Sequence, residues 1–135
     1  MPPIFNALIR THHITSRKKI AALRKAASHH RVYALLRSGG CPGIMYCEGG
    51  GEAAVKEWVA TVQRLRYKDF QLVRKTGEVE MEKGEEKREG VGMGKRTGRE
   101  EKWGKLEELE SVKEFGGRME ELGVWEWWRR GMGYV

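Results

Sequence analysis

The first 76 residues alternate between short apolar runs, typical of strands, and segments with apolar positions three and four residues apart, typical of helices. Residues 4–14 predict a first strand. Thr15 or Ser16 then caps a helix that runs to about Ser28, because a hydroxyl oxygen accepts from the free N–H groups of a first turn. The inner face of this helix carries Ile20, Leu23 and Ala27.

Two more strands, a second helix and a final strand follow. Residues 32–36 and 44–47 are apolar runs, joined by a loop rich in glycine and proline. Three glycines, 49–51, precede a helix over residues 52–66, and its apolar stripe comprises Ala54, Val55, Trp58, Val62 and Leu65. Phe70, Leu72 and Val73 predict the last strand. This order of elements is that of an α+β ferredoxin-like, or split βαβ, fold.

The second half of the chain has a different pattern. Residues 77–104 are almost entirely Glu, Lys, Arg and Gly, which predicts a flexible charged insertion because such a segment buries too little apolar surface to offset its ordering entropy. Apolar positions return from Leu106 to Leu122 in steps of three and four, which predicts one amphipathic helix ending at Gly123, with Gly116-Gly117 as the place where it would break. The closing residues 124–128 predict a short helix docked on the domain.

We therefore divide the chain into a ferredoxin-like core over residues 1–76, a flexible charged insertion over 77–104, and C-terminal helices over 105–135 that pack on the core. A chain of 135 residues is the usual size of one domain with one core.

The positive charge is concentrated in the first part of the chain. The net charge of +7 divides into +10 over residues 1–76, from 14 Lys/Arg and 4 Asp/Glu, and −3 over residues 77–135, from 12 Lys/Arg and 15 Asp/Glu. Such a field attracts polyanions and suits a phosphate-rich partner. The alternative is a solvated face that keeps the protein soluble.

The cysteine content and the absence of a long apolar stretch indicate an intracellular protein. Cys41 and Cys47 are too few for a disulfide framework. No segment has the apolar core of a signal peptide or a membrane helix, so no membrane partner is expected.

Four segments share one resemblance: His13-Ile14 with Arg17-Lys18-Lys19, the turn Pro42-Gly43-Ile44, the run Glu48-Gly49-Gly50, and the helix from Trp58 to Leu65-Arg66-Tyr67. They resemble the C-terminal domain of the pre-mRNA-processing factor of the spliceosomal tri-snRNP, which is shared with the C-terminal half of a group of RWD-domain-containing proteins. The aromatic short helix after Leu122-Gly123 is also similar to the end of that domain. The sequence looks closer to the RWD-linked relatives, and Cys41 stands where those relatives are expected to carry lysine.

The resemblance implies a ferredoxin-like fold and binding of base-paired and adjacent single-stranded small nuclear RNA, in the nucleus. The RWD-linked relatives have no settled function, which leaves an alternative: a protein-interaction module, cytoplasmic, that uses the Trp-rich C-terminal helix with Trp125, Trp127 and Trp128. Packing of these indoles on the core is the plainer interpretation, with at least one of them partly exposed because their spacing prevents all three from sharing one face.

RNA binding predicts cationic phosphate contacts beside aromatic or arginine stacking. The candidate contacts are Arg17, Lys18, Lys19, Arg24, Lys25, Arg31, Arg37, Arg64, Arg66 and Lys68, with Tyr33, Tyr46 and Tyr67 as stacking platforms. The chain has no aromatic signature of an RNA-recognition motif, so binding on an open sheet face is not predicted.

Other chemistry is not expected. The histidines at 12, 13, 29 and 30 and the two cysteines lack the spacing of a zinc site, and neither cysteine follows a known nucleophile motif. Gly49-Gly50-Gly51 could hold a phosphate at a helix start, but it lacks the ending of a P-loop, and a tight turn is the plainer interpretation. We therefore predict a protein without catalysis, metal or cofactor.

Overall fold

The structure, a computed structural model, describes residues 3–80 and 99–134. Its elements run in the order strand, helix, strand, strand, helix, strand, then a fifth strand and two helices. The strands are β1 (Phe5–Thr11), β2 (Tyr33–Arg37), β3 (Gly43–Gly49), β4 (Gln71–Glu78) and β5 (Leu106–Leu109). The helices are α1 (Arg17–His30), α2 (Glu52–Arg64), α3 (Val112–Glu121) and α4 (Trp125–Met132), with a short 3-10 helix at Arg99–Lys102.

The predicted ferredoxin-like fold is confirmed. The strands form one sheet in the order β4-β1-β3-β2-β5, and the first four give the arrangement of a split βαβ unit. β1 pairs antiparallel with β3, with Leu8 opposite Tyr46, and β3 pairs antiparallel with β2. β5 is added parallel to β2 at the far edge.

Helix α1 begins as the sequence predicts. The Ser16 side chain accepts from the backbone N–H of Lys19 at 3.2 Å, so Ser16 rather than Thr15 is the cap. The helix ends at Arg31, which adopts a left-handed conformation with φ 55°. Helix α2 has no side-chain cap and starts from Gly51.

One face of the sheet is covered by α1 and α2. Their apolar stripes meet the odd-numbered side chains of β1, with Trp58 fully buried and its indole N–H bonded to the Leu23 carbonyl at 3.1 Å. This face is almost entirely apolar, and nearly all of it comes from residues 1–76.

The opposite face is covered by α3 and α4. Leu8, Leu35 and Ile44 on this side of the sheet pack under Phe115 and Trp128. A ferredoxin-like sheet that stopped at β4 would leave this face open, so the C-terminal segment completes the domain.

The prediction of a helix starting at Leu106 is wrong. Leu106–Leu109 is a strand, and the helix begins at Val112 with a capping box in which Ser111 and Glu114 bond each other's backbone N–H groups. The spacing of Leu106 and Leu109 fits a helix, but the free edge of β2 supplies backbone hydrogen bonds that override it. The helix runs through Gly116-Gly117 without a break, and Gly123, with φ 75°, follows its end as predicted.

The ends of the predicted insertion belong to the folded domain. β4 extends to Glu78, the Val79 N–H donates to the Ile4 carbonyl at 2.7 Å, and Arg99 is buried. The greater part of the predicted insertion, residues 81–98, lies outside the described residues. Within residues 3–80 and 99–134, no helix has the length and apolar content needed to cross a bilayer.

Candidate nucleic-acid interface

The β1–α1 loop and the α2–β4 loop meet at one end of the sheet. β1 ends there at Thr11 and β4 begins there at Gln71, since these strands are antiparallel. The His12 N–H donates to the Lys68 carbonyl at 2.9 Å and joins the two loops. The first turn of α1 and the last turn of α2 therefore lie at the same end of the domain.

The first turn of α1 has an electropositive composition. It contains no acidic residue, although the N-terminal end of a helix favours negative charge. The three basic residues here have different surroundings. Lys18 is exposed, Lys19 lies over the Tyr67 ring at 4.9 Å, and Arg17 is held by Glu108.

Exposed cations continue from this turn in two directions. Lys25 lies two turns further along the outer side of α1, and Arg64, Arg66 and Lys68 lie at the end of α2 and in the loop that follows. Arg66 takes a left-handed conformation, φ 55°, at the end of the helix. We call Lys18, Lys25, Arg64, Arg66 and Lys68 the basic surface. Asp69 is the one acidic residue between Arg64 and Gln71.

Two of the predicted RNA contacts, Arg37 and Arg31, lie apart from these cations. Arg37 donates to the Glu110 carbonyl at 3.0 Å and to the Pro42 carbonyl at 2.9 Å, so its guanidinium ties the β2–β3 loop to the residue after β5. Arg31 is exposed at the opposite end of α1. Neither belongs to the basic surface.

The predicted stacking platforms are not accessible. Tyr33 and Tyr46 are buried under the C-terminal helices, with 1% and 0% of their surface exposed. Tyr67 is 8% exposed, its ring is covered by Lys19, and burial raises its pKa to about 12. The prediction that these three rings stack on bases is wrong, because all three are committed to the interior.

Beside the basic surface lies a cleft lined by residues of β1, the Cys41-Pro42 turn and the start of β4. The Nδ1 atom of His12 is 4.0 Å from the Cys41 thiol and 3.6 Å from the Asp69 carboxylate. A nucleophile and an orienting carboxylate would need opposite nitrogens of the ring, whereas here both approach one nitrogen. The three residues therefore lack the geometry of a catalytic triad. Across the described parts of the chain, no cluster of metal-ligating side chains is found.

One member of the triple glycine, Gly50, makes room for an indole. A Cβ atom at Gly50 would stand 2.9 Å from the Trp103 ring, so the absence of a side chain lets this indole lie on the start of α2. This close packing agrees with the tight turn that the sequence predicts at these glycines.

The indoles of α4 pack on the domain, as the plainer interpretation predicts. Trp128 is 4% exposed and stacks on Phe115 at 6.0 Å. Trp125 and Trp127 are half-buried, and Trp127 meets the edge of Tyr46 at 5.9 Å. Arg74 of β4 donates to the Trp127 carbonyl at 3.1–3.2 Å, which fastens the helix to the sheet.

Sequence reasoning missed two acidic residues. Glu108 holds Arg17 and lies within 3.6 Å of Arg24, so it neutralises part of the predicted binding face. Glu48, fully buried, pairs with Arg99 from the end of the charged segment. Neither partnership has a local signal, because the paired residues are 91 and 51 positions apart.

Comparisons with known proteins bear on the fold. No protein-family model matches the chain, and the search of curated proteins gives no match. Among solved structures, the chain is similar to BlrP1 BLUF, with 12% sequence identity, a TM-score of 0.51, and coverage of 91% of this chain and 78% of that one. At this identity the likeness supports the ferredoxin-like fold and nothing more specific.

Proposed function

We propose that this protein is a non-catalytic RNA-binding module that holds the phosphate backbone of structured RNA on its basic surface. The observation that carries the proposal is the convergence of the first turn of α1 with the Arg64–Lys68 segment, which gathers exposed cations from distant parts of the chain at one end of the domain. The resemblance to the splicing-factor C-terminal domain agrees with this function, and a nuclear location would follow from it.

The dimensions of the surface suit a nucleic-acid backbone. Lys18 and Lys25 are seven residues apart on one side of α1, a separation of about 10 Å at 1.5 Å per residue. Two cations at this separation can contact two different phosphates of one RNA backbone.

The way in which RNA could bind is limited by the surfaces that the C-terminal helices cover. The sheet face that bases would need is closed by α3 and α4, and the predicted aromatic platforms are buried. The remaining surface supports recognition of RNA through its phosphates and duplex shape, without base stacking on the sheet.

Salt-dependent fluorescence anisotropy tests the proposal, with an RNA duplex that carries a single-stranded overhang and with single-stranded RNA alone. The wild-type protein should bind the duplex at 50 mM salt, and binding should weaken steeply as salt rises because counterions are released. Lys68→Glu should lower affinity about five- to tenfold and make the slope of log K against log salt shallower by about one.

Lys113→Glu is the matched control. This lysine is exposed on α3, across the sheet from α1 and α2, and its reversal changes the net charge equally. Its affinity should stay within about twofold of wild type. No binding at 50 mM salt, or equal losses in the two variants, would refute the proposed surface.

The alternative, a protein-interaction module using the Trp-rich helix, has less support. Trp128 is buried and the Trp127 carbonyl is held by Arg74, so this helix serves the domain itself.

A further inference from the structure

The Glu108 carboxylate receives donors from three side chains that lie far from it in sequence. Arg17 binds it through both terminal nitrogens, Nη1 to Oε1 at 2.9 Å and Nη2 to Oε2 at 2.6 Å. Arg24 Nη2 lies 3.6 Å from Oε2, and the Ser38 hydroxyl donates to Oε1 at 2.9 Å. Two turns of α1 and the start of the β2–β3 loop thus converge on one anionic group of β5.

This arrangement has the features of a phosphate site. The planar guanidinium group of an arginine forms bidentate hydrogen bonds with a carboxylate or with a phosphate, and a hydroxyl donor adds a third contact. The hydrogen bond from Arg17 leads the causes that hold the pKa of Glu108 below its usual range, so the carboxylate is ionised at neutral pH.

The exposure of the arginine side chains indicates that another anion can replace the Glu108 carboxylate. The side chains of Arg17 and Arg24 are 68% and 51% exposed, whereas that of Glu108 is 23% exposed. Both arginine side chains are therefore more accessible to solvent than the carboxylate that they contact. Exposed ion pairs contribute little net stability, so an incoming phosphate can replace the carboxylate without unfolding the domain.

We propose that Arg17, Arg24 and Ser38 form a phosphate site that Glu108 occupies in the free protein, and that an RNA backbone phosphate displaces it. The inference rests on the proposed RNA-binding function and extends it to a second part of the surface. Arg17 and Arg24 each adjoin a member of the basic surface, Lys18 and Lys25, along α1. Glu108 thus acts as an internal competitor that lowers affinity for nucleic acid.

The variant Glu108→Gln removes the competing charge, and Glu110→Gln is its matched control. Glu110 is exposed two residues away, and its contact with Arg37 uses the backbone carbonyl, which the substitution keeps. E108Q should bind the RNA duplex about fivefold more tightly than wild type at 50 mM salt, with a salt slope steeper by about one. E110Q should stay within twofold. The double variant E108Q with Arg17→Gln should lose the gain.

Inorganic phosphate gives a second readout that does not depend on RNA. In an NMR titration, the Arg17 Nε–H resonance of E108Q should shift saturably with phosphate, and that of wild type should shift much less. Thermal melting checks that E108Q is folded, and Glu108→Thr, a residue favoured in strands, replaces it if E108Q melts early.

The outcomes separate the two proposals. If the RNA binds but E108Q and E110Q behave alike, the phosphate site is refuted and the basic surface stands. If no variant binds RNA but phosphate shifts the Arg17 resonance of E108Q, the phosphate site stands, whereas the RNA-binding function and the displacement of Glu108 by RNA are both refuted. Weaker RNA binding by E108Q would also overturn the inference, because Glu108 would then orient Arg17 productively.

Discussion

The two faces of the sheet are closed by different means. On one face, α1 and α2 bury an apolar cluster around Trp58 that is almost entirely local to the first 76 residues. On the other face, α3 and α4 cover an apolar cluster that borders a buried polar network. In that network, Asn6 donates to Tyr46, Tyr46 donates to Glu48 at 2.7 Å, and Glu48 pairs with Arg99.

The difference shows how a ferredoxin-like sheet can lose its open face. Arg99 bonds Glu48 in the sheet and donates to the Leu122 carbonyl at 2.7 Å, where α3 ends. One guanidinium therefore connects the sheet to its cover. Because this face is occupied, the proposed RNA contact lies at the end of the sheet and along α1, where the basic surface is exposed.

Of the changes considered for these two faces, the removal of Arg99 should lower the stability of the protein most. Arg99→Ala leaves the Glu48 carboxylate, 0% exposed, without its counter-charge, and we expect a loss of about 3–5 kcal/mol in unfolding free energy. Urea denaturation measures it. The double variant Glu48→Gln with Arg99→Met should recover more than half of the loss, since no charge is then buried alone. A loss below about 1 kcal/mol in Arg99→Ala would show that the pair does not hold the cover.

The turn between α3 and α4 offers a smaller test of the same face. Gly123 has φ 75°, a left-handed conformation that costs a residue with a side chain about 1–2 kcal/mol. Gly123→Ala should lower stability by that amount in urea denaturation. Gly117→Ala is the control, because this glycine is exposed inside α3 with open space around it. The substitution should raise the free energy of unfolding by about 0.5–1 kcal/mol. Equal effects of the two substitutions would contradict the assigned turn.

Acid should weaken the C-terminal face through Glu107. Burial alone would raise the pKa of Glu107, but hydrogen bonds from Arg118 at 2.7 Å and Tyr33 at 2.9 Å outweigh it and lower the pKa. A carboxyl group whose pKa is lower in the folded state than in the unfolded state stabilises the fold fully at pH values above its unfolded-state pKa. This contribution is lost as the pH falls through the folded-state pKa.

The variant Glu107→Gln should therefore melt below wild type at pH 7, and the difference should shrink as the pH approaches 3. Thermal melting across this range measures it. Glu120→Gln, at an exposed position of α3, should show a difference that does not change with pH. A Glu107→Gln difference that stays constant down to pH 3 would contradict the assigned hydrogen bonds.

Local pattern was sufficient to predict most of the elements. The hydroxyl at Ser16, the apolar stripe through Val55 and Trp58, and the end of α3 at Gly123 act within one or two turns of the chain, so their physics is visible in short windows. The sequence predicts a helix at β5 because Leu106 and Leu109 are three residues apart, a spacing typical of one helix face. In the sheet these two side chains instead join the apolar clusters on opposite faces.

The candidate site was predictable only in part. Charge counting located the cations of α1 and of the Arg64–Lys68 segment, since an excess of Lys and Arg needs no fold to be seen. It could not distinguish exposed Lys18 from Arg17, which is held by Glu108, or foresee that Tyr33 and Tyr46 are buried. Those distinctions depend on partners that β5 and α3 bring from the far end of the chain.

Propensity, periodicity and charge are properties of neighbouring residues, so the order of elements in residues 1–76, the ferredoxin-like core and the concentration of positive charge could be derived without the structure. The folded chain was needed to show which cations are exposed, which sheet face is closed and which acids are buried. Those outcomes come from contacts such as Arg17–Glu108 and Glu48–Arg99, whose partners are brought together by the fold and share no local pattern.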